Sequence, residues 1–297
     1  MYRQFLNVKL VQLLESSNCL QKHIGLLRLQ YPVVKECGLW HKHPTKHFTL
    51  SHKMFESEED SFTPDGWVNL WAKGLIGFHF KIVHPVIKEF HSWLLDGKTN
   101  QRIFLPLCGK SRDMPWLAEQ GHQVVGLDCV EKAAKDFFEE NRIQFTVSEI
   151  PGIDGGKLYK SSDGKINFYV CDFFKITSDI IGQFDAVWDM RGLFAIPGYE
   201  EKIKYVDQLK PLIKSGGRML LDLAEPKLKI GETTPDWVKS LYELDVEKMF
   251  AWCSSIELAK TYDYENVKNY LMEDAINSEE LAAFRHGCYG IVYKLIN

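Results

Sequence analysis

Short apolar runs separated by amphipathic segments mark the middle of the chain. Residues 103–105 and 124–127 carry no charged side chain, which is typical of strands buried on both faces of a parallel sheet. Between them, Gly109 supplies a tight turn, and Gly121 stands where a helix can end. The pattern predicts a strand, a turn, a helix and a second strand that is closed by Asp128.

The same alternation continues along the chain. Further strands are predicted from Phe145, in a hairpin over residues 157–170, and over residues 184–189, 218–223, 256–259 and 290–295. Helices are predicted over residues 131–140, 199–213, 235–242 and 278–284. Strands that alternate with helices predict an α/β, Rossmann-like fold, in which a seven-stranded, mostly parallel sheet carries helices on both faces.

The segment before the first strand, residues 61–97, is predicted to be helical. Thr63 followed by Pro64 is typical of a helix start, and a second helix is predicted over residues 84–95. Trp67 and Trp71 are four positions apart, so they share one helix face. Core packing explains this pair simply. The alternative is a helical lid that closes over a bound nucleoside or sulfonium, where a cation over an indole gains about 0.5–2 kcal/mol.

Asp128 stands at the tip of the second predicted strand. A carboxylate in this position accepts hydrogen bonds from the two hydroxyls of a ribose. The preceding turn has one glycine, Gly109, whereas the usual dinucleotide fingerprint has three glycines that let the backbone approach two phosphates. A ligand with a ribose and no phosphate fits this turn better, and S-adenosylmethionine is such a ligand. The alternative is a core turn that binds nothing.

Aspartates also stand at the ends of two other predicted strands. Asp172 is placed to bind the amine of an adenine ring, with Phe173 beside the ring, and it is also placed to cap a following helix. Asp189 ends the strand over residues 184–189, and Arg191 follows at the carboxyl edge, where open α/β sheets bind their ligands. Asp189 and Arg191 are therefore candidate site residues, or else a local ion pair that fixes the loop.

Composition narrows the class of protein. Of the 297 residues, 45% are hydrophobic, which is ample for a core, and the net charge of −4 argues against a nucleic-acid partner. No apolar run is long enough to span a bilayer. The seven cysteines are scattered and form no CxxC pair, which indicates reduced thiols in a cytosol-like compartment and no metal site.

The first 60 residues differ from the rest of the chain. Up to Leu50 they contain only two acids, Glu15 and Glu36, among several lysines, and their leucines recur at helix-like spacing. One interpretation is a mitochondrial targeting segment. The other, which the scarcity of arginine favours, is a poorly ordered basic extension or a surface helix. We therefore expect an extension over residues 1–60 and a main domain over residues 61–297, divided into a helical part (61–97) and an α/β core (98–297).

Four motifs stand in order between residues 67 and 197. They are Trp67-x3-Trp71-x2-Gly74-x3-Phe78-His79-x4-His84, Pro106-Leu107-Cys108-Gly109-Lys110, Gly121-His122-x-Val124-Val125-Gly126 and Trp188-Asp189. In this order and at this spacing they resemble the thiopurine S-methyltransferase family. The second and third motifs occurring together are specific for that family among methyltransferases, whereas any single motif is a weak signal.

The resemblance implies a class I S-adenosylmethionine-dependent methyltransferase fold. It implies that Trp67, Trp71 and Phe78 belong to the lid over the cofactor and that Phe78 also borders the substrate. The remaining cofactor-binding positions that it implies are Leu107 and Gly109 on the first turn, Asp128 on the ribose (where the family usually has Glu), Asp172 and Phe173 at the adenine, and Arg191.

Two departures from the family pattern concern the acceptor side of the site. The family typically reads Trp-Asp-Arg-Gly after its fourth strand, whereas here Met190 occupies the Arg position and Arg191 comes one residue later. Arg191 therefore reaches the site from a shifted turn, or does not reach it. The family's Pro-rich segment after the fifth strand is replaced by residues 225–231.

We expect transfer of a methyl group from S-adenosylmethionine to an aromatic or heterocyclic thiol, with Asp189 or Arg191 orienting the acceptor. One alternative is another small acceptor, such as a halide or a sulfur or selenium species. Another is a cofactor-binding protein that has lost catalysis. We expect a cytoplasmic monomer that binds a small-molecule thiol and has neither a nucleic-acid nor a membrane partner.

Overall fold

The computed structural model describes residues 63–226, 245–263, 270 and 288–297. Its helices are α1 (Pro64–Ala72), α2 (Pro85–Leu94), α3 (Asp113–Glu119), α4 (Glu131–Glu140), α5 (Ser178–Ile181), α6 (Gly192–Ala195), α7 (Tyr199–Leu209) and α8 (Val246–Met249). Its strands are β1 (Arg102–Pro106), β2 (Gln123–Asp128), β3 (Phe145–Glu149), β4 (Lys157–Ser161), β5 (Ile166–Val170), β6 (Phe184–Met190), β7 (Ile213–Pro226), β8 (Ser255–Asp263) and β9 (Cys288–Ile296). The predictions for residues 1–60, 235–242 and 278–284 lie outside the described residues.

The strands form one sheet in the order β3-β4-β5-β2-β1-β6-β7-β9-β8. The five central strands, from β5 to β7, are parallel, and the two strands at each end pair antiparallel with their neighbours. The strand order reverses between β1 and β6, which places a ligand crevice at the carboxyl ends of these strands. The α/β class is confirmed. The described sheet has nine strands rather than seven, because β3 and β4 extend it beyond β5.

Two hydrophobic cores cover the two faces of the sheet. Helices α1 to α4 contribute to one core, and helices α5 to α8 contribute to the other. Successive strand residues alternate between them: Trp188 lies in the first core and Val187 in the second, as Leu220 and Leu221 do on the next strand. Both faces of the central strands are therefore buried, which explains their uncharged sequences.

The region around residues 210–218 differs from the prediction. The helix that begins at Tyr199 ends at Leu209, because Pro211 follows in a short 3-10 turn over Lys210–Leu212. The strand predicted from residue 218 begins earlier, at Ile213, so Gly216 and Gly217 are part of it. This glycine pair lies inside β7 at an irregularity, since Phe184 of β6 pairs with Ile213 while Ala186 pairs with Arg218.

Candidate functional site

The turn after β1 is built on two residues with positive φ. Leu107 has φ +47° and Gly109 has φ +50°. A leucine rarely adopts this conformation, and such strain is concentrated at ligand-binding turns. The Gly109 N–H donates a hydrogen bond of 2.8 Å to Asp128 Oδ2, which ties the turn to the tip of β2.

Asp128 has its carboxylate held by the backbone on both sides. Oδ2 accepts from Gly109, and Oδ1 accepts from the Val130 N–H at 2.9 Å. Burial raises the pKa of Asp128 to about 6, although these hydrogen bonds oppose the shift. Each carboxylate oxygen has a second lone pair, so the group can still accept two ribose hydroxyls. The residues at this end of the crevice therefore fit the nucleoside of S-adenosylmethionine.

His79 explains why residue 109 is a glycine. Its Nε2 accepts a hydrogen bond of 3.1 Å from the Lys110 N–H, and its Nδ1 lies 3.3 Å from the Ile76 carbonyl oxygen. A Cβ on Gly109 would lie 1.9 Å from His79 Nε2. Burial, helped by the charge of Lys110, lowers the pKa of His79 to about 3, so the ring is a neutral acceptor. The Phe78-His79 motif thus fastens the segment after α1 to the turn.

The two tryptophans of α1 differ in environment. Trp71 is 2% exposed and packs edge-to-face on His79, with ring centroids 5.0 Å apart. Trp67 is half-buried and meets Phe78 in the same geometry at 5.6 Å. Trp71 therefore belongs to the core, and the Trp67–Phe78 pair is the part of this aromatic face that keeps solvent access.

At the end of β5, Asp172 caps the 3-10 turn over Phe173–Lys175. Its Oδ1 accepts a hydrogen bond of 3.0 Å from the Phe174 N–H, so the capping expectation is confirmed. Phe173 is 4% exposed and packs on Tyr205, with ring centroids 4.6 Å apart. Phe174 is 43% exposed. The placement of Asp172 and Phe173 at an adenine ring stays a prediction.

Asp189 lies on the α7 side of the sheet, fully buried. Its Oδ1 accepts hydrogen bonds from the Gly192 and Leu193 N–H groups at 2.6 and 3.3 Å, and its Oδ2 accepts from the Tyr205 hydroxyl at 2.8 Å. Burial raises the pKa of Asp189 to about 7. A Cβ on Gly192 would lie 2.7 Å from Asp189 Oδ1 and 2.7 Å from Tyr205 Oη, so the turn leaves no room for a side chain there. Asp189 therefore fixes the turn between β6 and α6.

On the opposite face of the sheet from Asp189, the Arg191 side chain contacts Asp222 and Tyr262. Its Nε lies 3.4 Å from Asp222 Oδ2, and its Nη2 lies 3.3 Å from the Tyr262 hydroxyl. Its φ of +66° is a conformation that favours glycine. In the family pattern Trp-Asp-Arg-Gly, that position is the glycine. Arg191 therefore occupies the glycine position of that pattern in a backbone conformation that glycine adopts readily.

Sequence reasoning missed four residues of this region: His79, His84, Asp222 and Tyr262. His84 caps α2, since its Nδ1 accepts from the Val86 N–H at 3.2 Å. Asp222 offered a signal, because it is an acid near the carboxyl end of a predicted strand, as Asp128 and Asp189 are. His79 and His84 stood in a recognised motif without a role. Nothing in the sequence around Tyr262 marked it.

The polar groups follow the carboxyl edge of the sheet in spatial order. Asp128 ends β2, the Leu107 turn follows β1, Arg191 follows β6, and Asp222 lies on β7 opposite Met190. From β2 to β7 the distance is three strand spacings, or about 14 Å. In the described part of the chain, no group of three or more His, Cys, Asp or Glu is arranged to hold a metal ion.

Sequence comparison places these features in a known family. The family model for thiopurine S-methyltransferase matches residues 62–282. A probable thiopurine S-methyltransferase of Danio rerio is 38% identical over 197 residues, covering 66% of this chain and 83% of that protein. The thiopurine S-methyltransferase of Canis lupus familiaris is 35% identical over 204 residues, covering 68% and 80% of the two chains.

Structural comparison agrees on the fold. Phosphoethanolamine N-methyltransferase 2 of Haemonchus contortus, solved with S-adenosyl-L-methionine, superposes with a TM-score of 0.51 at 14% identity. The alignment covers 79% of this chain and 57% of that protein, so this chain spans little more than half of its length. On the family match and this fold, the chain belongs to the thiopurine S-methyltransferase family and is an S-adenosylmethionine-dependent methyltransferase.

Proposed function

We propose that this protein transfers the methyl group of S-adenosylmethionine to the sulfur of an aromatic or heterocyclic thiol, thiopurines included. The observation that carries the proposal is the ordered edge of the sheet, with the doubly hydrogen-bonded Asp128 at one end and Arg191 at the other. Relatives named thiopurine S-methyltransferase, 35–38% identical over about two thirds of the chain, support the choice of acceptor.

The roles proposed for the residues follow from their positions. Asp128 holds the ribose hydroxyls, and the strained Leu107 turn with Gly109 lies beneath the nucleoside. Asp172 and Phe173 lie on the adenine side, at the end of β5. Trp67 and Phe78 cover the crevice and exclude water, with Phe78 also facing the acceptor. Trp71 supports this cover from the core.

On the acceptor side, Arg191 is proposed to contact the thiol, and Asp189 is proposed to act through the turn that carries Arg191. When bound, S-adenosylmethionine supplies a methyl group on a good leaving group. An aromatic thiol is substantially ionised near neutral pH, so the protein needs no strong general base. Its contribution is alignment of the sulfur for in-line attack, and such positioning removes about 7–11 kcal/mol of a barrier.

The proposal is tested by calorimetric titration of the protein with S-adenosylhomocysteine, followed by turnover assays with thiols, thiopurines first. Micromolar binding and turnover of a thiol are expected. Binding with turnover only of a halide or an inorganic sulfur or selenium species would show that the acceptor is different. The protein would still be a methyltransferase. Binding without turnover of any acceptor would indicate a degenerate member of the family.

A cytoplasmic, monomeric state is proposed as well. Free thiols at Cys108, Cys129, Cys171 and Cys253 support a reducing compartment. Among the described residues, no helix is both long and apolar enough to cross a membrane. Imaging of the full chain with a C-terminal fluorescent tag tests the location, and mitochondrial import would favour a targeting role for residues 1–60. Light scattering in solution tests the monomer.

A further inference from the structure

Asp222 is a fully buried carboxylate at the acceptor end of the crevice. It lies on β7 and accepts hydrogen bonds from the Tyr262 hydroxyl, 2.9 Å from Oδ1 and 3.1 Å from Oδ2. Arg191 Nε is 3.4 Å from Oδ2, and the Arg191 N–H donates to the Asp222 carbonyl at 3.0 Å. The shifted arginine is thus attached to Asp222 by both its backbone and its side chain.

The partners of Asp222 determine its charge. Burial raises the pKa of Asp222 to about 6, while Arg191 and Tyr262 oppose that shift and the nearby Asp113 adds to it. The fourth facing group is His84, whose Nε2 lies 3.8 Å from Oδ2. Burial and Arg191 hold the pKa of His84 well below its usual range, so this ring stays neutral. At neutral pH, Asp222 and Arg191 therefore form an ion pair.

The surroundings of this ion pair are apolar and aromatic. Phe80 and Ala224 form a small buried cluster on which Met190, Phe194 and Tyr262 pack. The Arg191 guanidinium carbon lies 5.9 Å from the centre of the Phe80 ring. An aromatic acceptor is compatible with such neighbours. A second negative charge on the acceptor would meet a guanidinium that already has a carboxylate beside it.

We propose that Asp222 determines the charge preference of the acceptor site: by pairing with Arg191, it makes the site favour neutral aromatic thiols over aromatic thiols that carry a carboxylate. This inference rests on the proposed function. Replacing Asp222 by a neutral group of the same shape removes a negative charge from beside the guanidinium, in buried surroundings. An anionic substituent then gains attraction to the guanidinium, because charges interact strongly where water is excluded.

The test compares two acceptors, 4-mercaptobenzoate and 4-mercaptobenzamide, with wild type and the Asp222→Asn variant. The ratio of kcat/KM values, benzoate over benzamide, is expected to rise about tenfold or more in D222N, through KM rather than kcat. Tyr262→Phe keeps both charges and should change the ratio less than threefold, a limit set by the neutral hydrogen bond it removes. Asp179→Asn, an exposed acid on α5 before the amino end of β6, should leave the ratio unchanged.

A binding measurement avoids turnover. In the presence of S-adenosylhomocysteine, calorimetry with the two S-methylated products should show the same gain in affinity for the anionic product in D222N.

A pH series gives a third readout from the unaltered protein. Below about pH 6 Asp222 takes up a proton, so the wild-type ratio should approach that of D222N as the pH falls. The benzoate carboxyl, the two thiols and Asp189 also titrate, but they do so with both proteins, so the difference between the wild-type and D222N pH series reports Asp222.

The outcomes separate this inference from the proposed function. If wild type binds S-adenosylhomocysteine and methylates both thiols, but a folded D222N keeps the wild-type ratio, the role of Asp222 is wrong and the function stands. If neither thiol reacts, the proposed function fails first. Should D222N not fold, Asp222→Ser, which is also neutral and is smaller, takes its place, and an unchanged ratio in that variant would overturn the inference.

Discussion

At the scale of single residues, the contact between His79 and Gly109 shows how the turn depends on a missing side chain. Gly109→Ala places a methyl group 1.9 Å from His79 Nε2, in a backbone conformation with φ +50°. We expect the variant to lose about 1–3 kcal/mol of unfolding free energy from overpacking. Gly97→Ala is the control for φ alone, since Gly97 has φ +65° and no atom near its Cβ position. Equal losses in thermal unfolding would contradict the steric argument.

Asp128 carries the second residue-scale prediction. Asp128→Ala removes two ribose acceptors and should weaken S-adenosylhomocysteine binding about 100-fold or more, because hydrogen bonds to charged groups contribute about 1.5–3 kcal/mol each. Asp128→Glu restores the residue that the family usually has and should keep most of the affinity. Asp154→Ala, in an exposed loop, is the matched control in calorimetry. Unchanged affinity in a folded D128A would remove Asp128 from the site.

At the scale of elements, α1 carries two tryptophans on one face, one expected to stabilise the fold and the other to contribute to cofactor binding. Trp71→Ala should cost about 3–5 kcal/mol of stability, because the residue is 2% exposed. Trp67→Ala should cost less stability and instead raise the Kd for S-adenosylhomocysteine, since Trp67 is half-buried beside Phe78. Val68→Ala, 45% exposed on the same helix, serves as the control in denaturant unfolding and calorimetry. A Trp67→Ala variant with unchanged Kd would make α1 structural only.

The elements were predictable wherever the pattern is local. Uncharged runs predicted β1 and β2, and Thr63-Pro64 predicted the start of α1, because burial on both faces and helix capping depend on neighbouring residues. The irregular start of β7 was not predictable, since it depends on pairing with β6. The network of Asp222, Arg191 and Tyr262 was also hidden, because Tyr262 lies 40 and 71 positions from its two partners.

At the scale of the whole molecule, buried carboxylates couple folding to pH. The pKa of Asp189 is about 7 in the folded protein, against about 3.9 in the unfolded chain. The unfolded chain therefore loses this proton first, so the contribution of Asp189 to stability is greatest below about pH 4 and declines as pH rises to about 7. Asp189→Asn lacks this titration. The unfolding free energy of wild type minus that of D189N should fall between pH 4.5 and pH 7.5.

Urea unfolding of both proteins across this pH range provides the measurement. Taking the difference removes the titrations that the two proteins share, including those of buried histidines such as His79, which act in the opposite direction. Tyr205→Phe is the control: it removes the hydroxyl bonded to Asp189 Oδ2 but keeps the carboxyl, so its difference from D189N should retain the pH dependence. A flat wild-type difference would mean that Asp189 is ionised throughout.

The order of strands along the sheet has a consequence for how such a protein changes over generations. Apart from the cover formed by Trp67 and Phe78, the groups proposed for the methyl donor lie at β5, β2 and β1. The groups proposed for the acceptor lie at β6, β7 and β8, on the other side of the point where the strand order reverses. Substitutions that alter which molecule is methylated can therefore accumulate on one half of the edge while selection keeps the other half constant, so divergence in acceptor without divergence in donor is the expected history of this fold.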